Sequence, residues 1–265
     1  MSSATPASPR SGHGTACTDC PLRKKDCFET FSDQEIAFME RFKAGEMSVA
    51  AGTTVMLEGA ASPQMYTVLE GLGMRYKTLP DGSRQVLNFV FPGDFVGLQT
   101  AVMGEMCHGF ESSSDMRLCV FDRSAFWDLM RTQPERAFTV TWLAAREEHF
   151  LGESLAAIGQ REATSRIAWA LLQIFLRQIE LEPSRSAAPG TERGLKGPTV
   201  PMPWKQQDLA DALGMSLVHT NKTLARLRRE KLAEWKRGWL TLPDPEKLAR
   251  AQDIILPQKV TRPLL

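Results

Sequence analysis

Three thiols stand close together near the start of the chain, two in Cys17-Thr-Asp-Cys20 and a third, after six intervening residues, at Cys27. They lie on a short segment that also carries Lys and Arg. Five cysteines in a reducing compartment are not a disulfide framework, so a cluster of this kind points to metal ligation or redox thiol chemistry. Zinc and iron–sulfur groups both take four soft ligands. Two other residues can supply the fourth: Cys119, inside Arg117-Leu-Cys-Val-Phe121, and alternatively Cys107, beside His108. A cysteine alternating in a strand, as at Cys119, also reads simply as a small buried hydrophobe.

A second chemical group lies between Lys205 and Leu242. The run Lys205-Gln-Gln-Asp-Leu-Ala-Asp-Ala-Leu213 predicts a short helix with one apolar face, and Gly214 ends it with the positive φ that a turn requires. Ser216 then caps a second helix over Leu217 to Glu230. Leu217, Leu224 and Leu227 are its expected packing residues. Val218, His219, Asn221, Lys222, Arg226 and Arg229 give it a reaching face. Asn can pair with adenine and Lys with guanine in a DNA major groove. Gln206, Gln207 and Ser216 are placed to hold phosphates. Ala233 to Trp235 and Trp239 to Leu242, turned by Lys236-Arg237-Gly238, make a small basic hairpin, or wing. An ordinary helical hairpin has the same outline, but here the cap, the Gly turn and the basic wing occur together.

These groups need elements to hold them. The chain has 265 residues, enough for two modest cores. Residues 1–28 read as a flexible arm bearing the cysteine cluster. From 29 to 134, after a short amphipathic helix at Ser32 to Arg41, short β-type runs follow one another: Thr53 to Leu57, Met65 to Leu69, Gly73 to Thr78, Gln85 to Phe89, Phe95 to Leu98 and Arg117 to Phe121. Pro80-Asp81-Gly82 between two of them is a hairpin signal, and the spacing of the set predicts a jelly-roll barrel. Residues 135–182 switch to helical period, with Phe138, Trp142, Ala145, His149 and Leu155 along one stripe and a second helix from Glu162 to Glu180. A long apolar stripe between two domains suits pairing with a second copy of the helix. Residues 183–203 read as a linker rich in Pro, Gly and Ser, and 204–265 as the nucleic-acid-binding domain. The expected fold is thus α+β, with an N-terminal barrel, a dimer helix and a C-terminal winged helix-turn-helix.

Formal net charge is only +1, but from Trp204 onward twelve Lys and Arg face seven Asp and Glu, an excess of five. Neither a secretory signal nor an apolar run of membrane length stands out, so a cytoplasmic protein without a membrane partner is expected. Catalysis has little support. The four histidines, His13, His108, His149 and His219, have no Ser/His/Asp or Gly-rich phosphate motif around them, so no catalytic residue is assigned. A ligand-binding or protein-interaction module is the alternative of another class, and it has no use for the Lys236-Arg237 wing.

With these motifs in view, the chain after residue 16 resembles the Crp/Fnr regulator family. Gly93-Asp94-Phe-Val-Gly97 is similar to its barrel signature, and Gln207-Asp-Leu-Ala-Asp-Ala-Leu-Gly214 to its first DNA-binding helix and turn. The resemblance implies a homodimer that binds a near-palindromic operator and contacts RNA polymerase. Two departures stand out. Gly97-Leu98-Gln99 and His108-Gly109 occupy the places where cyclic-nucleotide-binding members carry Gly-Glu-Leu and Arg-Ser, which argues against cyclic AMP as effector. Val218 and Lys222 replace the common Glu and Arg base readers, so the operator should differ from the best-known consensus. The cysteine separation resembles the oxygen-sensing Fnr branch, which implies a 4Fe-4S cluster on Cys17, Cys20, Cys27 and Cys119 that oxygen destroys. Such a cluster would pin the arm to the barrel and bias the dimer helix toward pairing. Zinc, redox thiols, an unidentified barrel ligand or no functional cluster remain open beside it.

Overall fold

The structure, a computed structural model, describes residues 14–183 and 195–265. The foremost part of the arm, with His13, and residues 184–194 of the expected linker lie outside the described residues.

Eight strands form the barrel: β1 (Lys43–Val49), β2 (Thr54–Met56), β3 (Gln64–Glu70), β4 (Gly73–Thr78), β5 (Arg84–Val90), β6 (Phe95–Val96), β7 (Gly109–Ser112) and β8 (Met116–Asp122). They pair antiparallel in two four-stranded sheets, β1-β8-β3-β6 and β2-β7-β4-β5. Met56, Tyr66, Val68, Val90, Val96, Phe110, Leu118 and Val120 fill the space between the sheets. The β4–β5 hairpin closes at Asp81-Gly82, where Gly82 adopts φ +83° and donates its N–H to the Leu79 carbonyl at 2.9 Å. A left-handed residue is needed at that turn, and glycine adopts it without a Cβ clash.

Helix α1 (Asp33–Phe42) precedes the barrel. Ser32 caps it in a reciprocal box with Glu35, and Met39 and Phe42 turn inward. Helices α2 (Leu98–Met103) and α3 (Phe126–Thr132) lie within and after the barrel, and the long α4 (Pro134–Gln160) leads to α5 (Ala163–Leu181). Pro134 starts α4 because its missing N–H is one that a first turn leaves unbonded anyway. Helix α5 buries Ile167, Leu171, Leu172, Ile174 and Phe175 and joins the barrel side to the last domain. That domain contains β9 (Thr199–Pro201), α6 (Gln206–Leu213), α7 (Leu217–Arg229), β10 (Glu234–Lys236), β11 (Trp239–Thr241) and α8 (Pro245–Ala251).

The structure corrects several expectations. Strand β1 begins at Lys43, ahead of Thr53, where the first strand is expected, and β1, β7, α2 and α3 have no counterpart in the sequence pattern. The run Phe95 to Leu98 is cut short because Gly97, at φ +99°, turns the chain into α2. Residues 14–28 are not a loose arm: Leu22 and Phe28 are buried, and Lys43 Nζ donates to the Thr15 carbonyl at 2.5 Å. Thr199–Pro201, expected as linker, is an edge strand of the wing sheet, ordered β10-β11-β9.

Candidate nucleic-acid interface

The two helices α6 and α7 meet at a turn of the expected kind. Gly214 is left-handed at φ +61°, and Met215 N–H reaches back to the Ala210 carbonyl at 3.0 Å. A Cβ at Gly214 would meet nothing nearer than Ile158 Cγ2 at 3.9 Å, so glycine is required by the torsion and not by crowding. The Asp208 carboxylate accepts Lys205 N–H at 2.7 Å at the start of α6, and Ser216 Oγ accepts His219 N–H at 3.3 Å at the start of α7. These bonds satisfy donors that helix starts leave open.

Helix α7 packs against α5 and α6 through Thr220, Thr223 and Leu227, with Leu224 half-buried. Leu217, expected to pack, is instead exposed beside the cap. The opposite face carries Val218, His219, Asn221 and Lys222, all exposed, with Val218 at 79%. Lys222 and Asn221 have no ion pair or hydrogen-bond partner among the described residues, whereas Arg226 Nε is paired with Glu230 at 2.8 Å and Arg228 Nε with Glu234 at 2.8 Å. Gln206 is half-buried at the start of α6, and Gln207 donates to Asp211 at 2.5 Å.

The wing is a two-residue hairpin. Lys236 is the last residue of β10 and pairs with Trp239, while Arg237 and Gly238 form the turn with φ of +52° and +76°. Two successive left-handed residues match the right-handed twist of the flanking strands. Arg237 is thereby held at the exposed tip, and Lys236 is half-buried next to it.

The cysteines fall into three places. Cys17 and Cys20 lie within electrostatic reach of Cys119, in a neighbourhood that Lys43 and Glu46 share. Burial pushes the Cys119 thiol up to about 12, and burial together with a hydrogen bond to Glu40 does the same to Cys17. Cys27 has other neighbours: its pKa is raised by burial and then by Glu180, and its sulfur stands 3.9 Å from Arg262 Nη2. Cys107 donates its backbone N–H to Gln99 at 2.9 Å and lines a cavity of about 820 Å³ between barrel and helices. Among the described residues no three Cys, His, Asp or Glu side chains converge closely enough to hold a metal ion.

That cavity is bounded by Gly97, Leu98, Gln99, His108, Arg75 and Glu147. The buried barrel arginine on its wall is already engaged: Arg75 Nη1 pairs with Glu147 at 2.7 Å, and Nη2 donates to the Phe95 carbonyl at 2.9 Å. Burial opposes ionisation of Glu147, but Arg75 and the Asn88 amide outweigh it and hold its pKa below the ordinary glutamate value. His108 is pushed down to about 4 by burial and then by Arg75. Sequence reading misses the Arg75–Glu147 link, since neither residue sits in a motif.

Among the described residues no helix is long and apolar enough to cross a membrane. Comparison with known proteins matches residues 46–133 to the cyclic nucleotide-binding domain and residues 165–251 to the Crp-like helix-turn-helix domain. The nitrogen fixation regulation protein FixK of Bradyrhizobium diazoefficiens is 27% identical over 236 residues, covering 89% of this chain and 93% of that protein. The transcriptional activator protein FnrL of Cereibacter sphaeroides is 26% identical over 214 residues, covering 81% and 82%. Among solved structures, FixK2 from Bradyrhizobium japonicum shares the fold with a TM-score of 0.66 at 22% identity, over 77% of this chain and 95% of that one. A CRP-family regulator from Thermus thermophilus gives 0.63 at 24% identity, over 80% and 98%. With its barrel and its helix-turn-helix each matched in place, and with relatives that are regulators and not enzymes, this chain belongs to the Crp/Fnr family of DNA-binding transcription regulators.

Proposed function

We propose that the chain works in the cytoplasm as a homodimer on near-palindromic DNA, with RNA polymerase as its further partner, and that its activity follows oxygen or redox state through the N-terminal cysteines. The observation that carries the DNA reading is the outward face of α7, where Val218, His219, Asn221 and Lys222 stand exposed behind the Ser216 cap. Asn221 and Lys222 read bases, with Val218 and His219 alongside. Gln206, Gln207 and Ser216 hold phosphates, Arg226 adds charge, and Lys236 and Arg237 reach the flanking backbone. Pairing of two chains through α4 is supported by its uncovered apolar residues, Phe138 at 68% and Leu155 at 73% exposure. One half-site contact is weak, and joining two raises affinity through effective concentration. Selection of a duplex from a random pool, followed by anisotropy titration, tests this. Two chains per selected site and a steep salt dependence are expected. Salt-independent binding, or none, overturns it.

The redox reading is supported by the shared neighbourhood of Cys17, Cys20 and Cys119. A four-thiolate set for a 4Fe-4S cluster does not fit this conformation, because Cys27 stands beside Arg262, in other surroundings than Cys17, Cys20 and Cys119, and among the described residues no three such ligands converge. Zinc or bare redox thiols are the alternative signals. Against cyclic AMP stands the engagement of Arg75, which shares the cavity wall with Gln99 and His108 but is tied to Glu147. Anaerobic purification with measurement of iron, sulfide and zinc, then exposure to air, decides among these. Iron and sulfide lost in air and absent in Cys20→Ser establish the cluster; a metal-free protein after anaerobic reconstitution removes it and leaves the DNA reading intact.

A further inference from the structure

Beyond α8 the chain turns back to the barrel. Gln252 is tied to the start of α5 by Ser165 Oγ, which donates to its carbonyl at 2.9 Å, and Asp253 by Arg161 Nη1, which donates to its carbonyl at 3.4 Å. Residue Ile255 is then 91% exposed, and 257–261 are largely exposed as well. The next four residues, Arg262 to Leu265, are buried again, with Arg262 at 3%. A span in water that ends in four buried residues is anchored by that end, and each anchor contact can be named.

Arg262 forms a parallel bridge with Phe28: its N–H donates to the Cys27 carbonyl at 2.9 Å, and its carbonyl accepts Glu29 N–H at 2.9 Å. Its guanidinium lies over the Phe28 ring at 4.9 Å. Arg136 of α4 donates to the Leu264 carbonyl at 2.9 Å, and Thr67 of β3 donates to the Leu265 carbonyl at 2.6 Å. Arg136 is itself fixed by Glu35 at 2.5 Å and by the Phe31 ring at 4.5 Å. The same N-terminal segment grips the winged-helix side at a second point, where Lys25 Nζ donates to the Leu181 carbonyl at the end of α5 at 3.0 Å. Its Phe28 ring also covers Gly93 so closely that a Cβ there would come within 2.3 Å of it.

We propose that Arg262–Leu265 is an intramolecular latch and Lys25–Glu29 its catch, so that the cysteine-bearing segment and the winged-helix domain are held to the barrel together and released together. The docked position has contacts of its own to lose. Gln85 Nε2 donates to the Asp211 carbonyl of α6 at 2.7 Å, and the Trp204 indole donates to the Gly73 carbonyl at 3.1 Å while packing on Phe89 and Phe91. Without the latch these contacts open more often, because local openings follow the loss of the contacts that bound them. The latch does not require that the cysteines hold a metal, so it stands or falls separately from the redox reading.

Hydrogen exchange read by mass spectrometry on the full chain tests it, with Leu264→Lys as the releasing variant, since a cation in that buried slot is repelled by the Arg136 guanidinium beside it. At least threefold faster exchange is expected both in the catch, residues 20–31, and across the docking face, residues 70–76 and 202–213, with β8 unchanged. Faster exchange confined to 256–265 overturns the proposal, because the segment is then only packing. If β8 also loses protection, the variant has unfolded the barrel, and Thr67→Val, which removes one hydrogen bond without adding charge, is judged by the same pattern.

Discussion

Replacing Lys222 and Arg237 separately should divide DNA binding into its two parts. Lys222 projects without a partner among the described residues from the exposed face of α7, whereas Arg237 sits at the wing tip. A base contact by Lys222 contributes about 1–3 kcal/mol of discrimination. A dimer makes it twice, so Lys222→Met should cost about 2–6 kcal/mol on a selected operator, or roughly 30-fold to 10⁴-fold in Kd. Binding to random duplex should change little. Arg237→Asn keeps the turn, because Asn tolerates the left-handed conformation. It removes two phosphate contacts per dimer, so selected and random DNA should weaken alike and the slope of log K against log salt should fall by about 1.8. Anisotropy titrations between 50 and 200 mM salt, about the range over which such contacts are resolved, give both quantities. If Lys222→Met weakens random DNA as much as the operator, Lys222 is a phosphate contact and the base-reading assignment is wrong. If Arg237→Asn leaves the slope unchanged, the wing does not touch the backbone.

Three further substitutions probe the frame. Gly214→Ala should destabilise the winged-helix domain by about 1–2 kcal/mol through the left-handed torsion alone, seen as a lower midpoint in denaturant. The native state keeps His108 neutral down to about pH 4 while the unfolded chain takes up the proton near 6.5, so stability should be complete above 6.5 and fall as pH drops from there through 4. The loss attributable to this residue is up to about 3 kcal/mol, and His108→Gln should remove it from a pH series of unfolding midpoints. Arg75→Met should cost about 2 kcal/mol, less than for a wholly buried pair because the Glu147 side chain keeps 33% of its surface exposed, and Arg75→Met with Glu147→Met should recover part of it in a double-mutant cycle.

What can be read from the sequence is what is encoded locally. The α6–α7 turn is announced by Gly214 and Ser216 within three residues, and the barrel hairpin by Asp81-Gly82, because turn and cap chemistry depends on near neighbours. The elements that escape such a reading are defined by distant partners. Strand β1 owes its extent to pairing with β8, Lys43 opposite Phe121, although Lys43, Gly45 and Glu46 show no strand pattern. Arg136 looks like a surface charge on α4 yet is buried under Phe31 and the Leu264 carbonyl. Residues 14–28 are poor in apolar residues, but buried Leu22 and Phe28, with the backbone bridge to Arg262 and the Lys43 bond to Thr15, seat them through partners distant in sequence. The cysteine spacing identifies candidate ligands without indicating that Cys27 and Cys119 lie in different surroundings.

The edge strand β9 has a consequence for anyone wishing to transplant the DNA-reading unit onto another protein. Its residues precede the two helices, yet they hydrogen-bond to β11, which follows them, with Val200 opposite Leu240. A fragment cut at Trp204, where the helical signals begin, would strip β11 of that neighbour and leave a row of open backbone donors and acceptors ready to recruit another chain. It would also bare an indole that the barrel now covers. The smallest portable module therefore keeps α5, on which α7 and α8 pack, as well as β9, and even that module needs a polar replacement at Trp204 to stay monomeric when detached from its barrel.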